Sequence, residues 1–489
     1  MLFNSHIFML LFLPLLLAGW YFLNWKKKFQ LAQGYLIGMS LWFYAYANLQ
    51  YLWLLLFSCL ICWLLSCLPE KIFSEKGKKV LTGVGCVFHL GLLGYFKYSN
   101  FFLENLNTVF HTDFPMLQIL LPVGISFYTF QQLAYLIDRC RGDAPRDSFF
   151  DYLTFMVYFP QLLQGPILLR SEFMGQLKEP ERRRFHAERF SEGIQFFVFG
   201  LAKKVLLADT LAKAVNYGYS NVSMLDSISA LLLAVGYLTE LYFDFSGYCD
   251  MAVGLGKMIG LEVAENFDAP FHSASVKEFW RRWHMTLGRF FTRYVYIPLG
   301  GNRRGKMRTL CNVMIVMLLS GLWHGAAWTF VLWGFLHGVG MIWDNLEHPH
   351  LPKKWMRQAA TFAYVCMTFV FFRAESIAQG IDVLKSIVSL KWNGFVFQMA
   401  SALDMTECYM ITKALSMKLP GLLSWFWLGV FVVLIAICFR VLSGEKVSGV
   451  VALKRQKGYG RLYPVLLAVL FTWSMISMTG VSEYLYFSF

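Results

Sequence analysis

The 489 residues are 57% hydrophobic and 18% aromatic, and only 15% are charged, against roughly 25% charged in an ordinary soluble domain. That balance excludes a water-soluble globular protein and reads as an all-α polytopic membrane protein. The net charge of +14 would suit nucleic acid, but the bases fall in short connections between apolar runs. This is the positive-inside arrangement, so nucleic acid is not an expected partner.

Taken in chain order, apolar runs long enough to cross a bilayer lie near 2–23, 29–47, 50–68 and 80–98. The first has no basic segment ahead of it and is followed by Lys26, Lys27 and Lys28. A cleaved signal peptide has the opposite charge order, so this run is expected to stay as a membrane span. Lys26–Lys28 and the segment holding Lys71, Lys76, Lys78 and Lys79 belong inside, while a turn near Asn48 carries no base; the N-terminus is then extracytoplasmic. From Tyr98 to Asp138 there is no Lys or Arg, and Arg139, Arg141 and Arg146 return the chain to the cytoplasm. The apolar stretch 158–173 is interrupted by Pro160, Gly165 and Pro166. Irregular backbone at membrane depth survives only against protein or a water-filled cavity, so a re-entrant hairpin is expected here.

Arg182–Arg184 and the basic stretch Arg281–Arg308 read as cytoplasmic. Lys353, Lys354 and Arg357 precede an apolar run at 359–372, a mixed external segment covers 374–419, and a further run covers 421–439. With Arg440–Arg461 inside, a last span near 462–481 leaves the tail 482–489, SEYLYFSF, extracytoplasmic. The expectation is one integral-membrane domain over 1–489, with roughly eleven spans plus re-entrant segments around a central funnel. The ten cysteines are scattered, and the one tight pair, Cys59 and Cys62, has no partner histidines. They read as small membrane-helix residues, with no metal site or disulfide framework.

Two histidines stand out against this hydrocarbon: His284 in EFWRRWHMTLGRFFTRYVYIPLG and His324 in LLSGLWHGAAWTFVLWGFLHG. An ionisable group in a membrane-embedded segment is expensive and marks a functional site by default. They are separated by about one membrane helix and its connections, which places them on neighbouring segments. His324 has Gly321 and Gly325 for close approach and Trp323 and Trp328 to exclude water; the plainer alternative is a histidine bonded to a carbonyl between helices. For His284 the plainer alternative is an interfacial side chain on a basic surface helix. His337 would sit about 220° round from His324 on one unbroken helix, and it ranks third. Arg281 and Arg282 have two readings, lipid-headgroup anchoring and docking of a phosphate-bearing donor. Asp244 and Tyr248, at i and i+4, face one way and suit a cavity lining or a structural role.

These strings, with DFSGYCDMAVGLGKMIG ahead of them, VGISFYTFQQLAYLIDRCRG at 123–142 and the aromatic tail, resemble the membrane-bound O-acyltransferase family, in its bacterial polysaccharide O-acetylation branch. The resemblance implies that His324, in WHG, is the catalytic base, and that His284, in RRWH, binds or polarises the acyl carbonyl, since relatives carry histidine or asparagine there. Trp283, Trp323, Arg281, Arg282 and His337 complete the implied substrate-binding set. In the tail, Tyr486 and Phe487 match the Tyr-Phe pair of this branch, making Tyr486 a candidate acyl acceptor; the alternative is an interfacial aromatic belt. Tyr484 departs from the pattern, where relatives carry phenylalanine, and leaves the acceptor open between two tyrosines. The implied enzyme sits in the bacterial inner membrane among lipid and binds no cofactor. It takes acetyl from acetyl-CoA, or an acyl group from a carrier protein, and passes it to an extracytoplasmic acyltransferase partner that modifies an envelope polysaccharide. The rivals are a D-alanyl transferase of the teichoic-acid type and, in another class, a transporter or flippase using the histidines as a proton relay.

Overall fold

A computed structural model describes residues 1–67, 75–346, 353–442, 447–457, 460, 462–478 and 484–485. The described secondary structure is helical throughout. Six helical stretches among these residues are long and apolar enough to cross a membrane: Phe8–Trp25, Leu49–Cys67, Lys76–Phe110, Ser227–Ile259, Lys306–His324 and Pro420–Val441. The roughly eleven crossings expected from sequence also drew on shorter and more polar segments. Pro420–Val441 is only 28% buried, whereas Ser227–Ile259 is 78% buried. The first presents its apolar side chains outward, as a lipid-facing helix does. The second is enclosed by protein, and can therefore carry Glu240, Asp244 and Asp250, which lipid would not tolerate.

The chain forms two compact units. The first comprises Met1–Phe197, Cys249–Glu265 and Thr286–Pro298. Its core includes an aromatic cluster: the rings of Phe3, Phe12 and Phe159 each lie 5.4–5.7 Å or 6.1 Å from one another or from Phe43. Polar side chains join its helices. Ser58 donates to Gln132 Oε1 at 2.9 Å, and Asp138 accepts from the Tyr294 hydroxyl at 2.9 Å and from Arg293 at 3.0 Å. The expected turn near Asn48 is absent, because Phe29–Cys67 is one helix of 39 residues. Between Gly38 and Cys67 there is no proline or glycine to interrupt it. The stretch after Tyr158 is broken as expected: a single turn, Phe159–Leu162, precedes irregular backbone and the helix Arg170–Leu177. All of it from Tyr158 to Leu168 is buried. Gly165 is required there, since a Cβ would stand 2.3 Å from the Pro160 carbonyl oxygen.

The second unit comprises Val198–Tyr248, Asn266–Met285 and Leu299–Phe489. Its centre is a hairpin of two helices, Lys306–His324 and Trp328–Leu346. Small residues let the two backbones touch, as in membrane helix pairs generally. A Cβ on Gly321 would lie 2.3 Å from the Phe330 carbonyl oxygen, and one on Gly334 2.5 Å from that of Met317. Lys354–Arg373 packs against the hairpin, and the Tyr364 hydroxyl donates to the Leu336 carbonyl at 2.6 Å. The short helix Val276–Arg282 is held at its start by Ser275, whose side chain accepts from the Glu278 N–H, the usual N-cap arrangement. Its Lys277 N–H donates to Asp344 at 2.8 Å.

Candidate active site

His284 is the residue between two short helices, Val276–Arg282 followed by Trp283, and Met285–Phe291. Its φ is +47°, a left-handed conformation uncommon outside glycine but more accessible to Asn, Asp and His. That kink turns the ring inward, and His284 is fully buried. Asn266 grips it twice. The Asn266 carbonyl accepts from the Met285 N–H at 3.0 Å, and its side-chain Oδ1 lies 3.3 Å from His284 Nδ1. The opposite nitrogen, Nε2, has no hydrogen-bond partner among the described residues. Phe245 meets the ring edge-on at 4.8 Å.

His324 ends the Lys306–His324 helix, and the chain breaks at Gly325–Ala327 before helix resumes at Trp328. Its ring is 3% exposed and sits among Trp323 at 4.9 Å, Trp333 at 5.1 Å and Phe372 at 5.3 Å. The two imidazoles are 6.3 Å apart, centre to centre, and Trp323 is 6.1 Å from His284. Two residues distant in sequence thus share one aromatic enclosure.

The break at Gly325–Ala327 also corrects the placement of His337. The helical-wheel argument assumed one unbroken helix, but the hairpin folds Trp328–Leu346 back, so Trp333 contacts both His324 and His337, the latter at 4.8 Å. His337 is nevertheless fully engaged by protein. Trp280 Nε1 donates to its Nδ1 at 3.3 Å, and its Nε2 lies 2.9 Å from the Thr368 hydroxyl. Because Nδ1 accepts, the proton of the neutral ring is on Nε2 and is donated to Thr368, whose own hydroxyl donates to Val365.

The remaining candidates separate. Trp283 is buried and stacks on Phe279 at 5.3 Å, and Trp323 is buried beside both histidines. Arg282 pairs with Glu278 at 3.0 Å and donates to the Asp268 carbonyl at 3.3 Å, holding the loop that carries Asn266. Arg281 is exposed. Tyr486 and Phe487 lie outside the described residues. Asn266, Trp333, Phe372 and Thr368 were not singled out by sequence reasoning; they belong to no local pattern and are brought to the histidines only by long-range packing.

The structure thus encloses two imidazoles side by side, one of them at the end of an apolar helix, and comparison with known proteins gives the family. A family model described as MBOAT, membrane-bound O-acyltransferase family, matches residues 141–380, a range that contains both histidines. The peptidoglycan O-acetyltransferase of Helicobacter pylori is 35% identical over 423 residues, covering 80% of each chain. The probable alginate O-acetylase AlgI of Pseudomonas putida is 38% identical over 393 residues, covering 77% of this chain and 78% of that one. The teichoic acid D-alanyltransferase of Bacillus subtilis is 28% identical over 271 residues, covering 52% of this chain and 69% of its own. This chain belongs to the membrane-bound O-acyltransferase family and is a multi-pass membrane O-acyltransferase.

Proposed function

We propose that the protein moves an acetyl group from cytoplasmic acetyl-CoA across the bacterial inner membrane, for O-acetylation of a cell-envelope polysaccharide by an extracytoplasmic partner. The observation that carries this reading is the enclosed pair of imidazoles, His284 and His324, 6.3 Å apart. Acetyl rather than D-alanyl cargo follows the higher identity and wider coverage of the relatives named for acetyl transfer. In this reading the C-terminal tail, one apolar span beyond the basic stretch Arg440–Arg461, is extracytoplasmic, so that Tyr486 meets the acyl group from the far side.

In the proposed step His324 takes the proton of the acceptor hydroxyl as its oxygen attacks the thioester carbonyl. The carbon–sulfur bond breaks, the proton passes to the departing thiolate, and the acceptor holds the acetyl group as an ester. His324 is the last residue of its helix, where the partial negative charge of the carbonyl end favours the positive charge it gains during transfer. His284 steadies the carbonyl oxygen from Nε2. With Asn266 Oδ1 facing the ring, Nδ1 donates and Nε2 presents a lone pair. A half-turn of the Asn266 amide puts its NH2 on Nδ1 and the proton on Nε2, the form that donates to the acyl oxygen. Tyr486 is the proposed acceptor, and its ester is collected by the partner. No resident cofactor is proposed; acetyl-CoA is the donor substrate.

The test is incubation of purified protein with acetyl-CoA labelled in the acetyl group, followed by peptide mapping of hydroxylamine-labile label. Label on Tyr486 that vanishes in His324→Ala is the expected result. Thioester cleavage without any labelled tyrosine would leave an acyltransferase and sink the relay. Cleavage of a carrier-protein thioester but not of acetyl-CoA would replace acetyl by another acyl group.

A further inference from the structure

The second unit holds a buried charge cluster that the acyl-transfer step does not use. Lys204, with a side chain 2% exposed, lies 2.6 Å from Asp244 Oδ1 and 2.7 Å from Asp209 Oδ1. A buried ion pair is a poor device for stability alone, because desolvation offsets its attraction; it serves better to fix one arrangement among several. Here the arrangement includes the chain's own end. Asp244 turns one oxygen to Lys204 and accepts from the Leu485 backbone N–H with the other, at 3.1 Å. The preceding residue, Tyr484, is fully buried. Its ring meets Tyr248 edge-on at 5.0 Å and has the Lys204 ammonium 4.7 Å from its centre, which adds a cation–π attraction.

We propose that Lys204, Asp244 and Tyr248 form a receptor site for the C-terminal segment, in which Tyr484 is the anchor that sets the register of Tyr486. Tyr486 follows two residues on, at most about 7 Å of chain away, so a fixed Tyr484 confines where it can reach. Tyr484 is then a positioning residue rather than an acyl acceptor, and Asp244 and Tyr248, one helical turn apart, face the tail. The role given to Tyr486 rests on the acetyl relay proposed above; the anchor itself rests only on the contacts of Tyr484 and Leu485.

The test uses the full chain with three variants: Tyr484→Phe, Tyr484→Ala, and Lys204→Met combined with Asp244→Leu, which removes both buried charges together. Two readouts are taken, hydrogen exchange of the C-terminal peptide and labelled acetyl on Tyr486. The Leu485 amide should exchange at least tenfold faster in Tyr484→Ala and in the double variant than in the parent. The label on Tyr486 should fall at least tenfold in those two and stay within twofold in Tyr484→Phe, which keeps the ring. Equal exchange in parent and both releasing variants overturns the anchor. Faster exchange with undiminished label overturns its positioning role, and loss of label in Tyr484→Phe overturns the assignment of Tyr484 as anchor alone. A parent protein unlabelled at Tyr486 refutes the relay, and the exchange readout then decides the anchor by itself.

Discussion

The role of His284 can be tested by what replaces it. If it contributes a hydrogen-bond donor to the acyl oxygen, His284→Ala removes one oxyanion donor from a dry site, a loss worth about 2.7–4 kcal/mol, or roughly 10²–10³ in turnover. The same change places alanine at φ +47°, where an L-residue with a Cβ is strained by roughly 1–2 kcal/mol, so the variant should also melt at a lower temperature. His284→Asn differs on both counts. Asparagine enters the left-handed region more readily, and its amide NH2 supplies a donor from nearly the same place. Turnover in His284→Asn should stay within about tenfold of the parent, since one tenfold step is about 1.4 kcal/mol.

The assay is release of the CoA thiol from acetyl-CoA by purified protein, with thermal melts run alongside to separate chemistry from folding. Two results would refute the reasoning. If His284→Asn is as inactive as His284→Ala while both are folded, a donor is not enough, and Nε2 must exchange a proton as only an imidazole can. If His284→Ala loses less than tenfold, the acyl oxygen does not sit at His284.

Three further outcomes follow from the geometry. His337→Phe leaves the Trp280 N–H without its acceptor, at a cost of about 1–3 kcal/mol; its melt should fall while thioester cleavage per folded molecule is unchanged, and a hundredfold loss at an unchanged melt would put His337 in the chemistry. Gly321→Ala sets a Cβ 2.3 Å from the Phe330 carbonyl oxygen, so the hairpin must part at a cost of about 1–3 kcal/mol; lowered melting should be accompanied by lost activity, because His324 is three residues on. Asp226 precedes the Ser227–Ile259 helix; burial alone would raise its carboxyl, but bonds from the Ser229 N–H and hydroxyl and the Asn393 and Gly394 N–H groups outweigh this and hold it below the usual range. Its contribution is therefore complete above about pH 3.9 and is lost as pH falls through the depressed value. Asp226→Asn should lower the melt at pH 7 and flatten the acid dependence below about pH 4; an identical acid dependence in parent and variant would show that Asp226 is not the group responsible.

The membrane class, the interrupted stretch after Tyr158 and the pair His284 and His324, which the fold buries side by side, stood out in the chain because each rests on a local signal: apolar length, Pro160 with Gly165, and a charge-capable side chain among hydrocarbon. The turn near Asn48 was inferred from the need to recross the bilayer, and no residue there demands it; FYAYANLQYL continues a helix without strain. At Gly325–Ala327 the opposite happened. The following alanines are strong helix formers, and the break is imposed by packing of Phe330 and Gly334 against the first helix, which no window of sequence contains. Asn266 escaped notice for the same reason. It reaches His284 only because the 266–268 loop folds onto the short helices, where Arg282 pins it through the Asp268 carbonyl.

The acids of the Ser227–Ile259 helix make the clearest link between fold and function. A lipid-facing helix would exclude them, so their presence required an enclosed helix, and the 78% burial of that helix meets the requirement. Enclosure alone does not explain why Asp244 is charged rather than replaced by an apolar residue of similar size, which would often be as stable. The Leu485 amide supplies the reason. An apolar side chain could pack there but could not accept from a backbone N–H. The carboxylate that pairs with Lys204 therefore also holds the chain at Leu485, next to the buried Tyr484, which is the seat the proposed relay requires for the tyrosine that follows.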